Sequence, residues 1–128
     1  MSYHSFEDLR VWKKARRLAV DVYKTFKSCR DWGLKDQITR SAVSVASNIA
    51  EGAERGSDRD FSRFLKIAKG SAAELRTQLY IAADTGILAD GRKQQLIAET
   101  KQVSSMLQSL IASLAKADPR RSEDRLKS

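Results

Sequence analysis

Ser44-Val45-Ala46-Ser47-Asn48-Ile49-Ala50-Glu51-Gly52 reads as the end of a helix in which an amide, a carboxylate and two serines are threaded among small apolar residues. A plain amphipathic helix has no use for that mixture. About eighteen residues later a sister stretch follows, Gly70-Ser71-Ala72-Ala73-Glu74-Leu75. Small side chains let two helix backbones approach closely, and buried polar groups have to be hydrogen-bonded. The pair therefore predicts two neighbouring helices packed very close, with polar groups paired between them.

Working outward, helix two is expected from about Leu34 to Glu54. Leu34, Ile38, Ala42, Val45 and Ile49 form one apolar stripe, and Val43, Ala46 and Ala50 a second beside it. At about 100° per residue the two stripes cover about half the circumference. A helix so widely apolar is central, or it faces another subunit as well as its own core. Along one edge of that arc Gln37, Ser41, Ser44, Asn48, Glu51 and Arg55 recur at steps of four and three. A network joining this edge to Ser71, Glu74 or Gln78 is the natural expectation, with Arg40 or Arg76 as counter-charge. Gln37, Arg40, Ser44, Asn48, Glu51, Ser71 and Glu74 are its candidate members, fixing helix register and subunit docking. A ligand site is the alternative reading of the same residues.

Three further helices follow from the periodicity. Helix one is expected from about residue 6 to 30, with Ser5 and Asp8 resembling a capping box. Its apolar face is Leu9, Trp12, Ala15, Ala19, Val22, Tyr23 and Phe26, and Asp31-Trp32-Gly33 is the break. Gly52 and Gly56 bracket the next turn. Ser57, with Asp60 three residues on, starts helix three, which runs to about Thr85. Its stripe is Phe61, Phe64, Leu65, Ala68, Ala72, Leu75, Leu79 and Ala82, and Gly86 is placed to end it. Asp90 is the expected cap of helix four, which carries a coiled-coil-like seam of Leu96, Thr100, Val103, Leu107, Leu110 and Leu114 to about Lys116. The sum is an all-α, antiparallel up-down-up-down four-helix bundle over residues 1–117, roughly 30 to 45 Å long. Residues 118–128 are charged and apolar-poor, and disorder is expected there.

The 128 residues fit one domain, and a chain of that length can bury a core without staples. The single cysteine, Cys29, permits no intramolecular disulfide and points to the reducing cytoplasm. Met1 to Asp8 lacks the basic-then-apolar pattern of a signal peptide, and no run approaches the roughly 18 apolar residues of a membrane span.

Enzymatic chemistry finds little to stand on. The single histidine is His4, which excludes a catalytic histidine in the bundle and a Glu-x-x-His metal site. Gly52 and Gly56 lack the Gly-Lys-Ser/Thr of a phosphate loop. Cys29 lies near Lys27 and Arg30, which could lower its pKa, but an incidental thiol is the plainer reading. Glu51 and Glu74 could do acid–base work, yet nothing else assembles around them. No catalytic residue, metal or cofactor is expected.

Charge is the stronger signal. The chain carries a net +8, and residues 9 to 30 hold eight basic residues against Asp21 alone. Arg10, Lys13, Lys14, Arg17 and Lys24 fall within an arc of about 100°, opposite Trp12, Ala19, Val22 and Phe26. Arg10 and Lys24 are roughly 21 Å apart along the axis, long enough to follow several phosphates. No aromatic is interleaved, so contact with backbone phosphates and weak sequence preference are expected. A merely solubilising face is the bland alternative. A membrane surface fits less well, because the opposite face is needed for the core. Arg59, Arg63 and Lys66 form a smaller stripe, diluted by Asp58 and Asp60.

Leu34, Gln37, Ile38, Arg40, Ala42, Ser44, Asn48-Ile49-Ala50-Glu51-Gly52 and Arg55, then Phe61, Phe64, Leu65, Ile67, Ala68 and Gly70-Ser71-x-x-Glu74-Leu75, resemble the bacterial four-helix-bundle proteins encoded in intervening sequences of 23S rRNA genes. Phe6-Glu7-Asp8-Leu9 and Val11-Trp12-Lys13-x-Ala15 extend the likeness, which covers about residues 6 to 115. That family includes the accessory protein of diversity-generating retroelements, which partners a reverse transcriptase. The resemblance implies an antiparallel four-helix bundle assembled as a ring, typically a homopentamer, with basic surfaces, and it does not imply an enzyme. One departure is Ala46, where many members carry proline; without it helix two is free to run straight. Two functional expectations result: an oligomeric binder of RNA or a ribonucleoprotein, or a scaffold that docks a partner such as a reverse transcriptase.

Overall fold

The computed structural model describes residues 5–117; His4 and the expected tail at 118–128 lie outside that range. A short 3-10 turn, Phe6–Asp8, precedes four helices: α1 Arg10–Thr25, α2 Trp32–Glu54, α3 Asp58–Asp84 and α4 Asp90–Ala117. Each helix packs against its neighbours in sequence, and α4 closes back on α1. Contacts run in opposite directions along α2 and α3, and the end of α1 meets the start of α4. Ser44 meets Ser71 while Gly52 meets Phe61 and Phe64; Thr25 meets Arg92 at the near end of α4. This is consistent with an up-down-up-down bundle.

The core is one cluster drawn from all four helices, with Phe26, Leu18, Ile38, Ile49, Leu65, Leu75, Leu79, Leu96 and Leu107 among its fully buried side chains. Every residue of the expected α3 stripe, from Phe61 to Ala82, is buried. Ser57 caps α3 by accepting from the Asp60 amide at 3.1 Å. Gly86 leaves it with φ +79°, a left-handed conformation in which glycine bears no Cβ penalty.

Several local expectations are corrected. Helix one is shorter at both ends. Ser5 accepts from the Glu7 amide and caps only the 3-10 turn, and Leu9 is extended before α1 begins. The helix ends at Thr25, not near residue 30. Its buried face is Val11, Ala15, Leu18, Ala19 and Val22, whereas Tyr23 is 53% exposed and Trp12 only half-buried. Asp31 is not part of a break but the cap of α2, its carboxylate accepting from the Leu34 amide at 3.0 Å. Gly52 lies inside α2 rather than in the turn; the turn glycine is Gly56, at φ +86°. Asp90 is the first residue of α4, not its cap, and pairs with Lys93 at 3.2 Å. The α4 seam ends on Ile111 and Leu114, with Leu110 half-buried, because a straight helix drifts off a strict heptad.

The motif cleft and the candidate nucleic-acid interface

The small-and-polar stretch of α2 meets α3 at two places. Gly52 is the point of closest approach between α2 and α3, where an added Cβ would meet the Phe64 Cβ at 2.6 Å and the Phe61 carbonyl at 3.3 Å. Gly70, its counterpart on α3, is exposed and faces open space. Close packing therefore rests on one glycine opposite two phenylalanines, not on glycine against glycine.

Between them lies a polar junction smaller than the sequence suggested. Ser44 Oγ and Ser71 Oγ are 2.9 Å apart, and Asn48 Nδ2 donates to Ser44 O at 2.8 Å and to Ser44 Oγ at 3.0 Å. The remaining candidates do not join. Arg40 pairs with Asp36 on its own helix at 3.1 Å, and Glu51 with Arg55 at 3.1 Å. Gln37 and Glu74 are exposed, and Gln78 Oε1 is shielded without a hydrogen-bond partner. Gln37, Arg40, Ser44, Ser71 and Glu74 do share an open cleft of about 580 Å³ between α2 and α3.

The basic helix keeps its promise of exposure. Arg10, Lys13, Arg17 and Lys24 are exposed and Lys14 is half-buried. None of the five forms an ion pair among the described residues. The single acid of α1, Asp21, is half-buried and lies near Glu99 on α4; it shares the arc of Arg17 and Lys24 but forms no ion pair with them. Burial first, and then the charge and hydrogen bond of Asp21, raise the Glu99 carboxyl above the usual carboxylate range. Its Oε2 is shut off from solvent without a partner of good geometry. Nearby, Arg92 Nε donates to Thr25 Oγ1 at 2.8 Å, tying α4 to the end of α1. Arg16, absent from the candidate set, is exposed too, its guanidinium 5.6 Å from the Trp12 ring. Arg63 of the smaller α3 stripe leans on Phe64 and lies 3.7 Å from Asp60.

Beside the basic face sequence reasoning missed an apolar groove of about 530 Å³ between α1 and α2. Trp12, Ala19, Val20 and Tyr23 line one wall, and Val43, Ala46 and Ala50 the other. The second wall is the extra stripe of α2, which here faces outward. That stripe is visible in the sequence; the matching wall on α1 is not, because Tyr23 at helical spacing reads as core.

Fold and surface define an antiparallel four-helix bundle with one unneutralised basic helix. The sequence model of the 23S rRNA-intervening sequence protein family matches residues 7–109, and the chain belongs to that family. It is similar to a crystallised protein of unknown function from the S23 ribosomal protein family of Bacteroides thetaiotaomicron VPI-5482, with a TM-score of 0.75 and 26% identity over 79% of this chain and 97% of that one. No curated protein matches. Among the described residues no helix is long and apolar enough to cross a membrane.

Proposed function

We propose that this protein is a non-enzymatic, self-associating bundle that binds nucleic acid, RNA or a ribonucleoprotein, through the basic face of α1. The observation that carries this reading is that Arg10, Lys13, Arg17 and Lys24 stand exposed, without an ion pair among the described residues, on one helix with a single, half-buried acid. Those charges extend over roughly 21 Å of helix, long enough to follow several phosphates. Each phosphate neutralised releases counterions, so binding weakens steeply with salt. Self-association repeats a modest patch and adds avidity.

The test is a titration of fluorescent RNA hairpins and DNA duplexes over a salt series. Affinity falling linearly in log–log form, with little sequence preference, is the expected result. Absent or salt-independent binding removes the reading. The second reading, a scaffold for a protein partner such as a reverse transcriptase, draws support from the exposed apolar groove rather than from the charge. A pull-down with a purified reverse transcriptase, unaffected by salt and lost on blocking the groove, would favour it.

A further inference from the structure

Trp32 is the most exposed large apolar side chain among the described residues, at 71%, whereas Trp12 is half-buried against the core. Tryptophan is on average among the more buried residues, so an indole left in water asks for a reason. Local structure supplies none. Trp32 is the first residue of α2, and the cap of that helix is the Asp31 carboxylate. Leu34 and Ile38 bring this end of α2 onto the core.

The ring is nevertheless held. Lys35 sets its ammonium 4.9 Å from the ring centroid and donates from Nζ to the Lys27 carbonyl at 3.0 Å. One cation thus ties the indole to the segment that leaves α1. It covers one face of the ring, and the opposite face looks to solvent.

The surroundings are basic. From residue 24 to residue 35 the chain carries Lys24, Lys27, Arg30 and Lys35 against Asp31 alone. Asp31 is engaged by the Leu34 amide, and Asp36, next along, pairs with Arg40 at 3.1 Å. The acids that α3 and α4 bring to this end, Asp84 and Asp90, form no ion pair with these bases; Asp90 pairs with Lys93. Lys24 is also the last base of the α1 stripe, so the indole stands where that stripe runs out. The stripe itself interleaves no aromatic; Trp32 supplies one at its end.

A held aromatic with one open face, set among unpaired bases, is the arrangement on which a nucleotide stacks while its phosphates are neutralised. In a duplex the base faces are already covered by their neighbours, so an indole of this kind takes an unpaired base. We propose that Trp32 is a stacking platform and that this surface takes single-stranded nucleic acid, with Lys27 and Arg30 at the flanking phosphates. The proposal rests on the nucleic-acid-binding role of α1 given above and adds a contact that α1 cannot make. Because every base has a π-face, the preference is for strandedness and not for sequence.

The test compares the wild type with Trp32→Ala, Trp32→Phe and Trp32→Leu, each checked by a circular dichroism melt that so exposed a position should leave unchanged. Each is titrated with a labelled RNA strand of about 12 nucleotides, within the span of one single-strand site, and with the same strand annealed to its complement. Trp32→Ala should weaken single-strand binding by about 5- to 150-fold, the range of one base–aromatic stack. Duplex affinity and both salt slopes should stay as they were, since no charge is lost. Trp32→Phe should recover most of the loss and Trp32→Leu little of it. Single-strand binding untouched by Trp32→Ala, or strand and duplex weakened alike, overturns the platform while leaving the phosphate-binding face of α1 standing. Recovery by leucine as full as by phenylalanine also overturns it, because the contact is then apolar and not stacked. A wild type that binds neither strand nor duplex removes the nucleic-acid reading, and the platform with it.

Discussion

Gly52 of α2 stands so close to Phe64 of α3 that a Cβ built on the glycine would lie 2.6 Å from the Phe64 Cβ. No flexible side-chain end can yield there; the helices themselves would have to part. Gly52→Ala is therefore expected to destabilise the bundle by about 2–3 kcal/mol, the scale of overpacking a well-filled core. The same change at Gly70, which meets nothing within 4 Å, should instead stabilise by about 0.5–1 kcal/mol through helix propensity. Urea midpoints for the two variants decide the matter. Equal effects of the same sign would mean that the close approach at Gly52 is not a constraint.

Ser44 and Ser71 supply the one hydrogen bond between the small-and-polar stretches of α2 and α3, at 2.9 Å. Ser44 also accepts from Asn48, so it is free to donate to Ser71. Removing either hydroxyl strands its partner in a half-buried cleft, at a cost of about 0.5–1.5 kcal/mol. Ser44→Ala and Ser71→Ala should then be non-additive, with the double variant little worse than the poorer single one. Strict additivity in a double-mutant cycle would show that the two hydroxyls do not act as a pair.

The α3 helix was almost fully legible in the sequence, and the reason is instructive. Its stripe from Phe61 to Ala82 is strongly periodic, its cap is Ser57, and its stop is Gly86, so three independent local signals agree. Helix one misled at Tyr23 because an aromatic at helical spacing fits a core and a groove wall equally well; only the position of α2 decides between them. The polar network was over-read for a related reason. Arg40 and Glu51 found partners four residues away on their own helix, and a local ion pair needs no tertiary closure. Asp21 and Glu99 could not have been paired from sequence at all, since α1 and α4 meet only once the bundle closes.

Glu99 supplies a pH test with a definite sign. Burial and the facing Asp21 raise its carboxyl above the unfolded value, so the folded chain holds that proton more tightly. The stability it contributes is full below the ordinary glutamate range and is lost as pH rises through the raised value. Glu99→Gln keeps a neutral group at every pH. The variant should exceed the wild type in stability at neutral pH, and the difference should close toward acid. Urea denaturation from about pH 4 to about pH 8, spanning ordinary and raised carboxyl values, reads this directly. A difference independent of pH would assign the effect to packing rather than to the proton.

The basic face makes the sharpest demand, because charge and shape separate cleanly there. Lys13 and Arg17 are exposed, unpaired among the described residues, and one turn apart on α1. Replacing both by glutamine should leave the melting curve almost unchanged, since neither side chain packs in the core. The log–log salt slope of duplex DNA binding should fall by about 1.8, at about 0.9 per phosphate contact, and by about 1.4 for a single strand. Arg63→Gln is the control. That guanidinium stacks on Phe64 at 4.5 Å and lies near Asp60, so it is partly neutralised where it stands. Its loss should leave the slope unchanged. If the α3 variant lowers the slope as much as the α1 pair, the protein attracts nucleic acid by net charge alone, and α1 is not the interface.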